Sequence, residues 1–359
     1  MSRRKLSQVQ TRRIENTQAS RVQNLNKNPG ANLDNLDLSE FNPEQPGRVM
    51  AHYGQTLEVQ NQEGLIFKCF ARQNLGLLVA GDRVLFCQSD QEGVITARLP
   101  RKSFLQRPDI HKGQKGIAAN IDQIFLVIAV TPPPLEHALD RALVAAYNQD
   151  IPAILILNKT DLLEPNTPSF HYFKNLTQRY ISMGYEALEL GKNSNPDLKN
   201  KQNILGLENL LEKIKNKTSI FVGQSGVGKS SLINQIFDLQ NITDQSAKTG
   251  DISNANQKGR HTTTTARLYQ AKSLSLDIET CLVDSPGIRE FGLWNLSPEE
   301  LIQGFIEFKP FISQCQFRNC AHQENSKGCA IQKAVQEKKI SRERLSSYFR
   351  LLTEIQNTK

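Results

Sequence analysis

No long apolar run occurs anywhere in this chain. The longest, from Ile124 to Val130, is far shorter than the roughly 20 residues a helix needs to cross a bilayer, so membrane insertion is not expected. The basic start of the chain lacks an apolar core behind it, and without that pattern secretion is not expected either. Six cysteines are present. In the absence of a secretory leader their lopsided arrangement fits free thiols in a reduced cytoplasm better than disulfides. No internal repeat divides the sequence.

Acidic residues are scarce at the start. Arg3, Arg4, Lys5, Arg12, Arg13, Arg21 and Lys27 face only Glu15, and most of the net charge of +8 sits there. The stretch is rich in Gln, Asn and Ser and has no hydrophobic periodicity. It cannot offset its ordering entropy by burial, and it reads as a flexible basic tail. A polyanion such as RNA suits it through counterion release, while a tail that only aids solubility is the plainer alternative. The remaining chain, 38% hydrophobic overall, can fill two or three compact domains.

From Gly47 to about Arg107, short apolar segments (GRVMAHYG, GLIFKCFA, GLLVAGDRVLFCQ, GVITARLP) alternate with turn signals. They predict β-strands in a small antiparallel barrel, with a β-sandwich as the alternative that periodicity does not separate. From Ile121 buried strands alternate with helices: IFLVIAV, a helix from Leu135 to Asp150, then IPAILILN. The pattern continues with a helix from Leu205 to Lys215, a strand from Ser219 to Val222, a helix from Lys229 to Leu239 and the strand TCLVD. This is an α/β arrangement. The last segment, from about Ser297, is helical and broken by a Cys/His cluster. Cys69, Cys87 and Cys281 lie in apolar strings, as small core residues do.

Gly223-Gln224-Ser225-Gly226-Val227-Gly228-Lys229-Ser230 matches the phosphate-binding loop G-x-x-x-x-G-K-[ST] and stands between a strand and a helix, the context that motif requires. Its backbone amides and the helix start, with Ser231 beside Ser230, suit phosphate groups; Lys229 reaches the β- and γ-phosphates, and Ser230 offers a hydroxyl to Mg²⁺. Downstream, Asp284-Ser285-Pro286-Gly287 follows a strand, supplying a second Mg²⁺ group in Asp284 and an amide for the γ-phosphate in Gly287. Asn158-Lys159-Thr160-Asp161 follows another strand. A carboxylate there accepts two hydrogen bonds that guanine donates and adenine does not, which argues for GTP over ATP.

The order of these motifs is unusual. The guanine-reading motif precedes the phosphate loop, whereas ordinary GTPases run the other way, so the domain is expected to be circularly permuted. Its original termini would be joined between about residues 190 and 220, and new ones opened near 120 and 295. Gly259-Arg260-His261-Thr262-Thr263-Thr264-Thr265 fits a switch loop in which one of Thr262 to Thr264 closes on Mg²⁺, Thr263 being the choice; a Thr-rich edge strand is the alternative. The residue after Gly287 is Ile288, where a Ras-like enzyme carries the glutamine that orients water. His261 is the candidate replacement, since imidazole positions or deprotonates water near neutral pH. A histidine that only packs or touches RNA is the competing reading. Slow turnover that a partner accelerates follows from the missing glutamine.

Cys315, Cys320, His322 and Cys329 fall within fifteen residues. Three thiols and an imidazole form the ligand set of a closed, structural Zn²⁺ site, with no group nearby to make it catalytic. Gln316, Arg318, Lys327, Lys333, Lys338, Lys339, Arg342 and Arg344 give it polar, basic surroundings suited to RNA.

The motif order, DSPG, GRHTTT and the Cys-Cys-His-Cys cluster together resemble the small-ribosomal-subunit-dependent GTPase family known as RsgA or YjeQ, over nearly the whole chain. GDRV at 81–84, RKSFLQR at 101–107 and AANID at 118–122 belong to the same likeness. The resemblance implies a multidomain chain: a basic tail and linker (1–45), an OB-like RNA-binding barrel (46–112), a circularly permuted P-loop G domain (113–295) and a helical zinc domain (296–359). It implies GTP hydrolysis to GDP and phosphate, stimulated by the small subunit during late assembly. The OB and zinc domains would grip rRNA. Zn²⁺ and Mg²⁺ are the expected cofactors, and a cytoplasmic monomer is the expected form. One departure stands out. Where the family carries a Ser-containing loop supporting the base, this sequence reads Gly191-Lys192-Asn193-Ser194, leaving backbone amides to serve. Two other functions stay open on the residues: an RNA-binding module that holds guanine nucleotide structurally, and a GTPase directed at tRNA or translation.

Overall fold

A computed structural model describes residues 42–72, 75–89, 92–109, 113–192, 204–239, 266–270, 280–284 and 296–357. The basic tail, His261, Thr262 to Thr264, Gly287, Ile288, Asn193 and Ser194 lie outside these residues, and of Asp284 only the backbone is described.

Five strands come first: β1 (Gln45–Tyr53), β2 (Thr56–Asn61), β3 (Ile66–Ala71), β4 (Arg83–Gln88) and β5 (Glu92–Arg98). Alternation turns Val49, Leu57, Val59, Cys69, Val84, Phe86 and Ile95 into one core. The strand β1 pairs with both β2 and β4, and β3 runs parallel to β5, so the ring closes in the order β1-β2-β3-β5-β4. That closure decides for a barrel over a sandwich. A register shift between Val49 and Ala51 bends β1, as a bulge does in a closed sheet.

A hairpin of β6 (Phe104–Asp109) and β7 (Gly113–Ala119) follows. It runs across residue 112, where the sequence reading divided the barrel from the next domain, and Ala118 bridges back to Ala80. Beside it the buried Asp82 carboxylate accepts from Arg101 Nε at 2.7 Å.

The α/β unit then runs β8 (Gln123–Ala129), α1 (Glu136–Tyr147), β9 (Ala153–Asn158), α2 (Pro168–Ser182), β10 (Glu186–Glu189), a short pair β11 (Gly191–Lys192) and β12 (Ile204–Leu205), α3 (Leu207–Ile214), β13 (Thr218–Val222), α4 (Lys229–Leu239), β14 (Arg267–Gln270) and β15 (Cys281–Asp284). The sheet order is β10-β9-β8-β13-β15-β14, with β14 antiparallel to β15 and the others parallel. Near-continuous apolar strands fit a parallel sheet covered on both faces. Ile124, Leu126 and Ile128 of β8 look to one face with α1 and α2. Phe125, Val127 and Ala129 look to the other with α3 and α4.

Helix α2 was not singled out in the sequence, although its signals are there. Thr167 Oγ1 accepts from Phe170 N at 3.2 Å, Pro168 takes the first helical position, and Phe173, Leu176, Thr177 and Tyr180 recur on the buried face.

The chain ends in α5 (Pro298–Gln303), α6 (Lys309–Ile312), α7 (Ala330–Gln336) and α8 (Arg342–Asn357). A reciprocal cap starts α5: Ser297 Oγ accepts from Glu300 N at 3.1 Å, and the Glu300 carboxylate accepts from Ser297 N at 2.7 Å. Leu301, Phe305, Phe308, Leu345, Tyr348 and Leu351 join the same core as α1 and α2. The barrel instead meets the far edge of the sheet, where Ala51 of β1 pairs with Arg267 of β14.

Candidate nucleotide site and metal cluster

The phosphate loop connects β13 to α4, and its neighbour across the sheet is the loop after β9. Asn158 Nδ2 donates to Val227 O at 2.8 Å, and Lys159 Nζ donates to Gly226 O and Thr131 O, both at 2.7 Å. Gly228 lies at φ +98°, and a Cβ there would collide with the Asn158 amide, so the glycine of G-K-[ST] serves backbone conformation and close approach together. Lys229 Nζ donates to Gly223 O at 2.8 Å and Gln224 O at 2.7 Å, its ammonium drawn over the loop's own carbonyls. Ser225 is exposed, as are Ser230 and Ser231 in the first turn of α4.

Asp161 stands one turn past β9, in a short 3-10 turn over Thr160–Leu162. Lys192 N donates to Asp161 Oδ1 at 2.8 Å. A Cβ on Gly191 would approach Thr160 Oγ1 to 2.5 Å and Asp161 N to 2.8 Å. A side chain at 191 would therefore push this strand off the guanine motif. The short sequence that departs from the family pattern thus holds Asp161 by a backbone amide.

Five of the residues singled out in the sequence, Asn158, Lys159, Gly226, Val227 and Gly228, come together at this one loop crossing. The lysine and asparagine contacts between motifs some 70 residues apart were not foreseen, and no local pattern announces them. The Asp284 backbone ends β15, next to β13, and its register partner on β14 is Arg267. Arg267 is in turn the partner of Ala51 in the barrel. His261, Thr263 and Gly287 lie outside the described residues.

Cys315, Cys320, His322 and Cys329 bring one ligand atom each to within 4.8 Å of one another and are able to hold a metal ion. His322 Nδ1 lies 3.6 Å from Cys315 Sγ and 3.5 Å from Cys329 Sγ. Gln332 Nε2 donates to His322 O at 2.6 Å, and Gln332 N donates to Cys329 Sγ at 3.4 Å, anchoring the cluster on α7. Burial pushes the His322 imidazole below its ordinary value, which favours the neutral ligand form. Burial pushes the Cys329 thiol up to about 11, with the Gln332 amide opposing; a bound cation reverses that direction.

A family model described as RsgA GTPase matches residues 98–294. The chain belongs to the RsgA GTPase family. As an RsgA GTPase it is a GTP-hydrolysing enzyme, with its motifs in permuted order. A curated relative from Hahella chejuensis, named small ribosomal subunit biogenesis GTPase RsgA, is 41% identical over 99% of this chain and 97% of its own length. The crystal structure of YjeQ from Thermotoga maritima covers 87% of this chain and 98% of that one, with 28% identity and a TM-score of 0.65. A second solved structure, YloQ, described as a circularly permuted GTPase, covers 88% of this chain and 96% of its own at 23% identity, with a TM-score of 0.64; it supports the fold. Among the described residues of this RsgA GTPase, no helix is long and apolar enough to cross a membrane.

Proposed function

We propose that this GTPase binds the small ribosomal subunit through its rRNA and acts in the subunit's late assembly, as a monomer in the cytoplasm. The observation that carries this reading is the near full-length identity with relatives named for small ribosomal subunit biogenesis. It is supported by a barrel, a permuted nucleotide domain and a Cys/His cluster in one chain. The division at 1–45, 46–112, 113–295 and 296–359 is part of the same proposal.

In this reading the amides of residues 223 to 228 and Lys229 hold the β- and γ-phosphates, and Asp161 reads guanine, steadied by the Lys192 amide. Ser230 and Asp284 face Mg²⁺, which neutralises phosphate charge when bound. Thr263 closes on Mg²⁺, Gly287 meets the γ-phosphate, and His261 positions the attacking water. Asn158 and Lys159 tie the base-reading loop to the phosphate loop, so that base and phosphates are held by one rigid crossing.

Zinc is the metal we assign to the cluster. At ordinary zinc–sulfur and zinc–nitrogen bond lengths a tetrahedron separates sulfur from nitrogen by about 3.6 Å, and the two Sγ to Nδ1 distances are 3.6 Å and 3.5 Å. Four protein ligands leave no place for water, so the ion would be structural.

The test is steady-state GTP hydrolysis with and without purified small subunits, large subunits and tRNA serving as controls. Acceleration by small subunits alone is expected; acceleration by tRNA alone, or by nothing, would overturn the partner. Lys229→Ala is expected to weaken GTP binding by about a hundredfold, and Asp161→Asn to weaken GTP while leaving a purine-altered analogue less affected. Metal analysis should find one zinc per chain, lost in Cys320→Ala.

A further inference from the structure

The barrel meets the α/β sheet at the end that carries the nucleotide motifs. Strands β13 and β15 are parallel, with Ile220 level with Val283. One step on, Asp284 stands level with Phe221, just before the phosphate loop begins at Gly223. Strand β14 runs the other way, and its first residue, Arg267, is the register partner of Asp284, the last residue of β15. Ala51 of β1 pairs with the same Arg267. A strand of four residues has few ladder bonds, and strand ends open first. What pins Arg267 therefore also fixes where Asp284 ends.

Alternation along β14 separates two sets of contacts. Ala266 and Leu268 enter the core that also takes Met50 of β1. Arg267 faces the other way, where Nη1 donates to Tyr53 Oη at 2.7 Å and Nη2 lies 3.1 Å from Glu58 Oε2. Tyr53 ends β1 and Glu58 belongs to β2, so one side chain of the sheet grips two strands of the barrel. Burial pulls the Arg267 guanidinium down, yet Glu58 and Tyr53 hold it above its ordinary value. Such partly exposed contacts add little to stability. Their place, on the residue opposite Asp284, suits them to alignment.

We infer that Arg267 is a positioning residue for GTP hydrolysis: gripped by Tyr53 and Glu58, it fixes the position of Asp284, so that the barrel completes the nucleotide site of its own chain. This inference rests on the reading of Asp284 as a Mg²⁺ group.

The experiment measures, on the full chain, equilibrium binding of a fluorescent GTP analogue over a Mg²⁺ series, together with kcat and KM for GTP. The variants are Arg267→Gln, the double change Tyr53→Phe with Glu58→Gln, and, as a control, Lys213→Gln, which removes an exposed ion pair with Glu186 elsewhere in the α/β unit. Arg267→Gln should raise the Mg²⁺ needed for half-maximal tightening by roughly three- to tenfold and lower kcat by about as much, with KM and Mg²⁺-free binding nearly unchanged. The double variant should do the same, and Arg267→Lys, which keeps the charge, should recover part of both. A parent-like Mg²⁺ dependence in Arg267→Gln, or an equal change in Lys213→Gln, would overturn the inference. So would a matching loss of Mg²⁺-free binding, which marks general damage to the fold. Asp284→Asn distinguishes the two readings. If it raises the Mg²⁺ requirement while Arg267→Gln does not, the clamp falls and the Mg²⁺ reading stands. If it leaves the requirement unchanged, the Mg²⁺ reading falls and the inference with it.

Discussion

At the barrel junction, Ala51 pairs with Arg267 across an edge strand, and the Arg267 guanidinium reaches Tyr53 Oη at 2.7 Å and Glu58 at 3.1 Å. At the other junction the C-terminal helices press Phe305, Phe308 and Tyr348 onto α1 and α2, and Arg344, 1% exposed, is clamped by Asp140 and by Glu307 at 2.6 Å. Tyr180 Oη donates to the same Asp140 carboxylate at 2.5 Å. The charged contacts at the first junction are partly solvated and each contribute little, beside Met50, Ala80 and Leu105, which join the core shared with the sheet. The second buries aromatic area and charges that cannot be left unpaired. The two carboxylates hold Arg344 above its ordinary value although burial pulls the other way.

The contrast breaks most sharply at Arg344. Arg344→Ala would strand Asp140 and Glu307 in the core, and urea unfolding should show a loss of about 3–5 kcal/mol. A cost below 1 kcal/mol would mean that the second junction is no stronger than the first. Gly304 gives the next largest effect, because a Cβ there meets Val144 Cγ1 at 2.5 Å and Val144 Cα at 3.1 Å. Gly304→Val should cost about 1–3 kcal/mol by overpacking, seen as a lower thermal midpoint; no shift would show the interface to be loose. The smallest belongs to Arg267→Gln. With side chains 25% and 28% exposed, the Arg267–Glu58 pair should contribute about 1 kcal/mol or less, and a loss as large as that at Arg344 would erase the distinction.

Much of the chemistry was legible before the fold. The candidate phosphate loop, the candidate guanine motif and the Cys/His cluster are short strings whose spacing places their atoms within one loop or one helix start. The strands of the barrel were legible from alternation and a barrel was the expectation, but alternation did not separate it from a sandwich, because the pairing of β1 with β4 joins strands that periodicity does not connect. Helix α2 had a Thr-Pro start and a regular buried stripe, and reading those would have found it. The strand β14 carries only four residues and little pattern, so its part in joining barrel and sheet stayed hidden.

The sequence by itself determined the class of reaction, the nucleotide preferred, the permuted order and the Cys/His cluster able to hold a metal ion, since each depends on residue types at fixed local spacing. Tertiary structure alone decided the rest. Asn158 meets Val227 across 69 positions, Arg344 meets Asp140 across 204, and Arg267 meets Tyr53 across 214. Contacts of that separation arise from sheet order and helix packing, which close only when the whole chain buries its apolar faces together.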